Sequence, residues 1–331
     1  MFVLIKQSDS SEVMDQFKFK VCAKLTIGVL LLLLVFRMTN WREVLPLFFD
    51  INFTPLVLMI ALYPLSLWIS SEKWRLLLRS HDVKVASVEL FRHYWSGAFL
   101  NNFMPSSIGG DVGRVALLQR FGRPAEVAAS VVVERLTGLL VLLAVGNAAL
   151  FLRPDIFHDD WRFVFWLVAV GGLCALVGCF FLSGRISDYL MHVRLNERHW
   201  TGWFATKLKK VTLSICHYRK APWILVQNIF LSVIFYLLSV VGHYVLFMIF
   251  ALNVGVEDIF FVAAWISLIS FVPLSLNSLG ITEGAFVVLY GTVGILPSEA
   301  LAAALMVRFG TIILSLLGGL FLLFPEKNRK V

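Results

Sequence analysis

Six apolar runs, each near the ~20 helical residues needed to cross a hydrocarbon core about 30 Å thick, constrain this chain more than any other feature. They lie at about 21–38, 53–72, 125–152, 161–183, 222–251 and 298–324. Of the 331 residues, 59% are hydrophobic and 15% charged, so no polar segment is long enough for a soluble catalytic domain of ordinary size. The expectation is an all-α, polytopic integral membrane protein, with residues 1–331 as a single membrane domain. The first run, from Leu25, has only 12 residues between Lys24 and Arg37, the length of a signal-peptide core. The following "RMTNWREV" has no small-x-small cleavage site, and snorkelling of Lys24 and Arg37 lengthens the span, so it reads as an uncleaved helix.

Charge between the runs sets the orientation. The connection from Lys73 to His93 holds Lys73, Arg75, Arg79, Lys84 and Arg92, and that from Arg185 to Lys220 holds eight Lys or Arg against two acids. Both belong on the cytoplasmic side. "RPDIFHDDWR" carries more Asp than Arg and "NVGVED" has no basic residue, which places both outside. The basic tail "EKNRKV" puts both termini in the cytoplasm, an even span count agrees, and the cytoplasmic (inner) membrane is the expected location. The net charge of +8 is accounted for by anionic lipid, and no nucleic-acid partner is expected. Within 185–220, "WFATKLKKVTLSICHYRK" mixes Trp, Phe and Leu with Lys and Arg, as in an amphipathic helix on the cytoplasmic leaflet, the alternative being an ordinary solvated loop. Trp41, Trp161, Trp200, Trp203 and Trp223 fall near the boundaries, as an aromatic belt requires. The four Cys (22, 174, 179, 216) suggest no disulfide framework.

Two polar breaks interrupt this pattern: "NNFMPSSIGGDVGRVALL" from Asn101 and "VPLSLNSLGITEGAFVVL" from Val272. Non-helical backbone at membrane depth is tolerated only where protein or a water-filled cavity satisfies it. The segments flanking the first break are too short to span, and both outer ends carry cytoplasmic-type charge, which predicts a re-entrant hairpin tipped by "PSSIGG". The breaks share a spacing, with Ser107, Gly109 and Gly113 matching Ser278, Gly280 and Gly284. Downstream, Pro124, Glu126, Ala129 and Arg135 match Pro297, Glu299, Ala302 and Arg308. This predicts an internal repeat with halves at about 21–152 and 161–324, the amphipathic connection 185–220 lying within the second. Three spans per half is odd, so the halves are inverted, as in many alternating-access transporters.

If the third span of each half starts at its Pro, Arg135 and Arg308 lie about 15 Å deep. A cation there costs about 2.5–3.5 kcal/mol and needs an interior partner. Glu134 points about 100° away from Arg135, so Asp111, Glu283 or a ligand is the better partner. Two readings stand. Arg135, Arg308 and Arg114 form a cationic site for a phosphate, aided by helix N-termini; or each Arg is permanently paired to lock the bundle. Asn101, Asn102, Asn277, Ser107 and Ser278 flank the breaks and either line the cavity or cap helices. His243 either relays protons or packs as a hydrogen-bonded ring, and Cys174 and Cys179 read as packing. No Walker lysine, H-E-x-x-H or G-x-S-x-G motif is present, and "GGDVG" lacks the preceding strand of a dinucleotide loop. No cofactor or metal is expected.

In "LNNFMPSSIGGDVGRVALL", "ERLTGL" and "SLGITEGAF" the chain resembles the lysylphosphatidylglycerol synthase transmembrane-region family, the flippase-like part of multiple peptide resistance factors, across nearly its whole length. The resemblance implies lipid translocation, carried onto Asp111, Arg114, Glu134, Arg135, Glu283 and Arg308. The sequence stops at Val331 without the aminoacyl transferase domain of two-part relatives, so a non-enzymatic role is expected. The leading function is a flippase for a phosphate-bearing lipid, a phospholipid or a polyprenyl-phosphate-linked one. The alternatives are an integral glycosyltransferase using Asp50, Asp155, Asp159 or Asp160 as base, or an accessory subunit of a lipid or envelope biosynthetic enzyme. Partners would be an anionic or phosphate-bearing lipid and the membrane, with a biosynthetic enzyme or a second copy as further possibilities.

Overall fold

The computed structural model of the chain describes residues 41–103, 109–118, 123–153, 159–192, 200–272 and 275–323, with isolated helical positions Thr26, Val29, Leu30, Leu33 and Arg37. The described chain is all helix and connection. A short α1 (Trp41–Leu47) leads into α2 (Phe53–Arg79). Then come α3 (Ser87–Phe103), α4 (Gly109–Leu117) and α5 (Pro124–Leu152). The second part holds α6 (Asp159–His192), α7 (Trp200–His217), α8 (Pro222–Ile249), α9 (Val256–Phe271), α10 (Ile281–Gly291) and α11 (Pro297–Leu323).

Among the described residues four helices, α2, α5, α8 and α11, are long and apolar enough to cross a membrane, and Phe163–Ala175 and Ile281–Gly291 are shorter apolar helical stretches. The protein is a multi-pass membrane protein. The expected spans at 53–72, 125–152, 222–251 and 298–324 fall on the four long helices. That at 161–183 falls within α6, and that at 21–38 lies outside the described residues but for the five isolated positions. The lipid-facing sides keep large apolar residues outward, as in Phe230, Ile313 and Leu320, which a hydrocarbon solvent permits.

Both breaks separate two helices that fold back on each other, α3 on α4 and α9 on α10. At roughly 1.5 Å per residue, α4 reaches about 14 Å and cannot span alone. The first hairpin closes through glycine: a Cβ on Gly110 would stand 2.3 Å from the Gly97 carbonyl oxygen. Helix α3 packs on α11 and α9 on α5, while α2 and α8 pack together. The α3–α11 crossing brings backbones into contact, since a Cβ on Gly318 would meet the Trp95 carbonyl oxygen at 2.2 Å. Trp95 Nε1 donates to the Leu314 carbonyl at 2.9 Å and Ser96 Oγ to the Gly318 carbonyl at 3.0 Å. The largest core cluster joins α5, α8, α9, α10 and α11 around Trp265, Phe247, Phe286 and Tyr290.

Residues 200–217 form the expected helix, and α7 packs on α5 rather than standing free. Behind it Tyr218 donates to the Leu77 carbonyl at 3.1 Å and packs edge-on against His81. Burial first, then the neighbouring His217, lowers the His81 pKa below the usual imidazole value.

Candidate functional site

A cavity of about 390 Å³ opens among α2, α3, α4, α5, α8 and α9. Its charged wall comes from three elements. Helix α4 begins directly after the first break, so Asp111 sits in its first turn and Arg114 one turn on, where the i, i+3 spacing lets them meet at 2.5 Å. Arg114 also reaches Glu134 of α5 at 3.2 Å, and the Tyr94 hydroxyl donates to the other oxygen of Glu134 at 2.8 Å. The second oxygen of Asp111 pairs with Arg135. Asp111 therefore bridges two guanidinium groups, and Glu134 serves Arg114 rather than its neighbour Arg135.

The two arginines differ in access. The Arg114 side chain is 6% exposed, with its guanidinium 4.2 Å from the Tyr94 ring centre and 5.0 Å from that of Trp74. Trp74 is held in turn by Nε1 donating to Ser130 Oγ at 2.9 Å. Arg135 is 40% exposed and lies 5.7 Å from the Phe271 ring centre. A guanidinium presenting a free edge in a partly enclosed cavity is suited to a bidentate oxyanion.

The second break has different chemistry. Asn277 and Ser278 take positive φ, 45° and 54°, and Gly280 takes 77°. Asn and Gly accept that conformation readily; Ser278 does so at a cost. The ordering bonds are local. Ser275 Oγ donates to the Leu279 carbonyl at 2.8 Å, Ser278 Oγ to the Ser270 carbonyl at 2.5 Å, and the Gly280 N–H to Glu283 at 2.7 Å. Arg308 completes them, donating to Glu283 at 2.6 Å and to the Asn277 and Ser278 carbonyls at 2.9 and 3.3 Å. Glu283 is 1% and Arg308 14% exposed in their side chains.

Of the residues singled out in the sequence, Asp111, Arg114, Glu134 and Arg135 surround this cavity, together with Asn101. Arg308, Glu283, Asn277 and Ser278 form a separate cluster outside its lining. Asparagines join the two. Asn101 Nδ2 donates to Asn277 Oδ1 at 3.1 Å, Asn277 Nδ2 to Asn102 Oδ1 at 2.6 Å, and Asn102 Nδ2 to Ser315 at 2.9 Å. Ser107 lies outside the described residues, as do the rest of 104–108, Asp155 and the side chains of Asp159 and Asp160. Asp50 is an exposed residue just after α1. His243 Nδ1 is 2.8 Å from the Ser239 carbonyl, and its ring stacks on Phe286 at 5.4 Å.

Among the wall residues that the sequence reading does not single out are Lys73 and Tyr94. Lys73 was assigned to the cytoplasmic connection, but α2 continues to Arg79 and buries it. The signal was available: Leu67, Ser70, Ser71, Trp74, Leu77 and Leu78 are buried at helical spacing through the supposed boundary. Tyr94 carries no signal, being one hydroxyl among the aromatic residues of α3. A smaller cavity of about 200 Å³ adjoins the first and shares Phe235 and Ser239 with it; its remaining wall is mostly apolar, from α2, α8 and α11.

A family profile described as "Lysylphosphatidylglycerol synthase TM region" matches residues 21–319. The profile covers the flippase-like membrane region, which is distinct from the catalytic aminoacyl transferase domain. A "UPF0104 membrane protein" of Methanothermobacter thermautotrophicus is 24% identical over 254 residues, covering 71% of this chain and 75% of that protein. No solved structure matches.

Proposed function

The chain belongs to the lysylphosphatidylglycerol synthase TM-region family, and we propose that it moves a phosphate-bearing lipid across the cytoplasmic membrane by alternating access. The head group passes through the larger cavity, where Arg135 contacts its phosphate and Arg114, Asp111 and Glu134 hold Arg135 in place. The observation that carries this is Arg135 itself: 40% exposed, on a cavity wall, with Asp111 as its carboxylate partner. The apolar cavity adjoining it supports a lipid cargo, since a hydrocarbon chain can stay beside the head group.

Alternating access follows from a six-span inverted repeat, in which α2, α3, α4 and α5 correspond to α8, α9, α10 and α11. The reciprocal packing of α3 on α11 and α9 on α5 supports that reading, as do the two Pro-initiated helices with Arg at the same register. The first hairpin opens to the cytoplasm, the second to the outside, and both termini are cytoplasmic. Within this scheme Arg308 is a lock for the second break rather than a head-group contact.

Reconstituted into vesicles, Arg135→Ala is expected to abolish translocation of fluorescent phospholipid while eluting as a folded, monodisperse protein. Arg135→Lys should restore only part of the rate, because it keeps charge and loses the planar fork. Wild-type rates in Arg135→Ala would remove the site.

A further inference from the structure

The charged wall of the larger cavity does not balance. Arg114 and Arg135 are matched by Asp111 and Glu134, and Lys73 of α2 adds a third cation to the same lining. Lys73 is 5% exposed, and its Nζ lies 5.6 Å from the centre of the Phe235 ring. Among the described residues it makes no ion pair. The helix backbone around it is fixed, since Asn228 Nδ2 donates to the Lys73 carbonyl at 2.9 Å and Thr137 donates to Asn228 Oδ1 at 2.7 Å. A buried ammonium with a ring face against it, and with the nearby carboxylate of Glu134 already bonded to Arg114 and Tyr94, is unfavourable, and an anion brought against it relieves that cost.

From this surplus we infer that the cavity selects a head group with one net negative charge, whose phosphate is held by Lys73 together with Arg135. The inference rests on the head-group reading above and narrows it. A phosphodiester without amines neutralises the wall. A lysyl-bearing head group adds two ammonium groups to one phosphate, so its net charge has the sign of the wall, and like charges brought together in a poorly solvated cavity repel. A choline-type head group, with no net charge, falls between. The selectivity therefore runs opposite to the lipid in the family's description.

Binding separates this from transport. Purified wild-type protein in detergent is titrated with short-chain phosphatidylglycerol, with phosphatidylcholine and lysylphosphatidylglycerol of the same chains, and with glycerol 3-phosphate. Phosphatidylglycerol is expected to bind at least about tenfold more tightly than the lysyl lipid, with phosphatidylcholine between. Lys73→Met should bring the ratio to within about twofold, and Lys73→Arg should keep it. Equal wild-type affinities for phosphatidylglycerol and its lysyl derivative overturn the inference, a comparison that needs no variant to fold. An unchanged ratio in Lys73→Met also overturns it. Glycerol 3-phosphate binding as tightly as phosphatidylglycerol would make the ligand a soluble phosphate ester and overturn the lipid source. Selective binding without translocation in vesicles would end the carrier reading and leave the charge selectivity standing.

Discussion

Arg135 and Arg308 occupy the same register in their helices, each the same distance from the Pro that begins it, yet their surroundings give them different work. Arg308 donates to a 1% exposed carboxylate and to two carbonyls of a broken backbone. Removing it strands a buried charge, so Arg308→Ala is expected to lower stability by about 3–5 kcal/mol. A depressed melting temperature and loss of the monodisperse peak would show it. Arg135→Ala should change melting far less, because that guanidinium is 40% exposed and Asp111 keeps Arg114 as a partner. Equal melting losses in the two variants would mean that both arginines are structural.

At the scale of elements, two glycine contacts decide whether the hairpin can sit where it does. Gly110 lets α4 close on α3, and Gly318 lets α3 lie against α11, in each case with a backbone carbonyl of the facing helix where a methyl would go. Small residues at such crossings replace the hydrophobic drive that helices lack in lipid. Backbone yields less readily than a side chain, so Gly110→Ala and Gly318→Ala should each cost about 1–3 kcal/mol. Gly171→Ala is the control, since a Cβ there meets nothing within 4 Å. Thermal unfolding in one detergent compares all three, and a Gly318→Ala protein as stable as Gly171→Ala would contradict the close crossing. At the second break Arg308 and three serine or carboxylate bonds satisfy the open backbone.

For the whole molecule, the proposed orientation rests on loop charge: the turn holding Asp82 lies between basic segments, and the first turn of α9 carries Glu257 and Asp258, which pair with Arg153. In a cysteine-free background, Asp82→Cys should react with an impermeant maleimide only after the cytoplasmic face is opened, and Glu257→Cys in intact cells. The reverse pattern would invert the topology.

What was legible in advance followed from rules that act along one segment at a time. Hydropathy marked the four long spans, Pro and Gly marked the ends and breaks, and the scarcity of charge made Asp111, Arg114, Glu134, Arg135, Glu283 and Arg308 conspicuous. Tertiary structure alone decided the partners. Glu134 adjoins Arg135 in sequence and serves Arg114, because a helix turns them apart and the folding of α4 against α5 brings Arg114 in. For Lys73, helical spacing carries α2 through the basic boundary, but nothing in that spacing tells of the α8 and α5 residues that close over it. Insertion into a bilayer is settled segment by segment, whereas the pairing of charges depends on how helices cross, over separations no local pattern encodes.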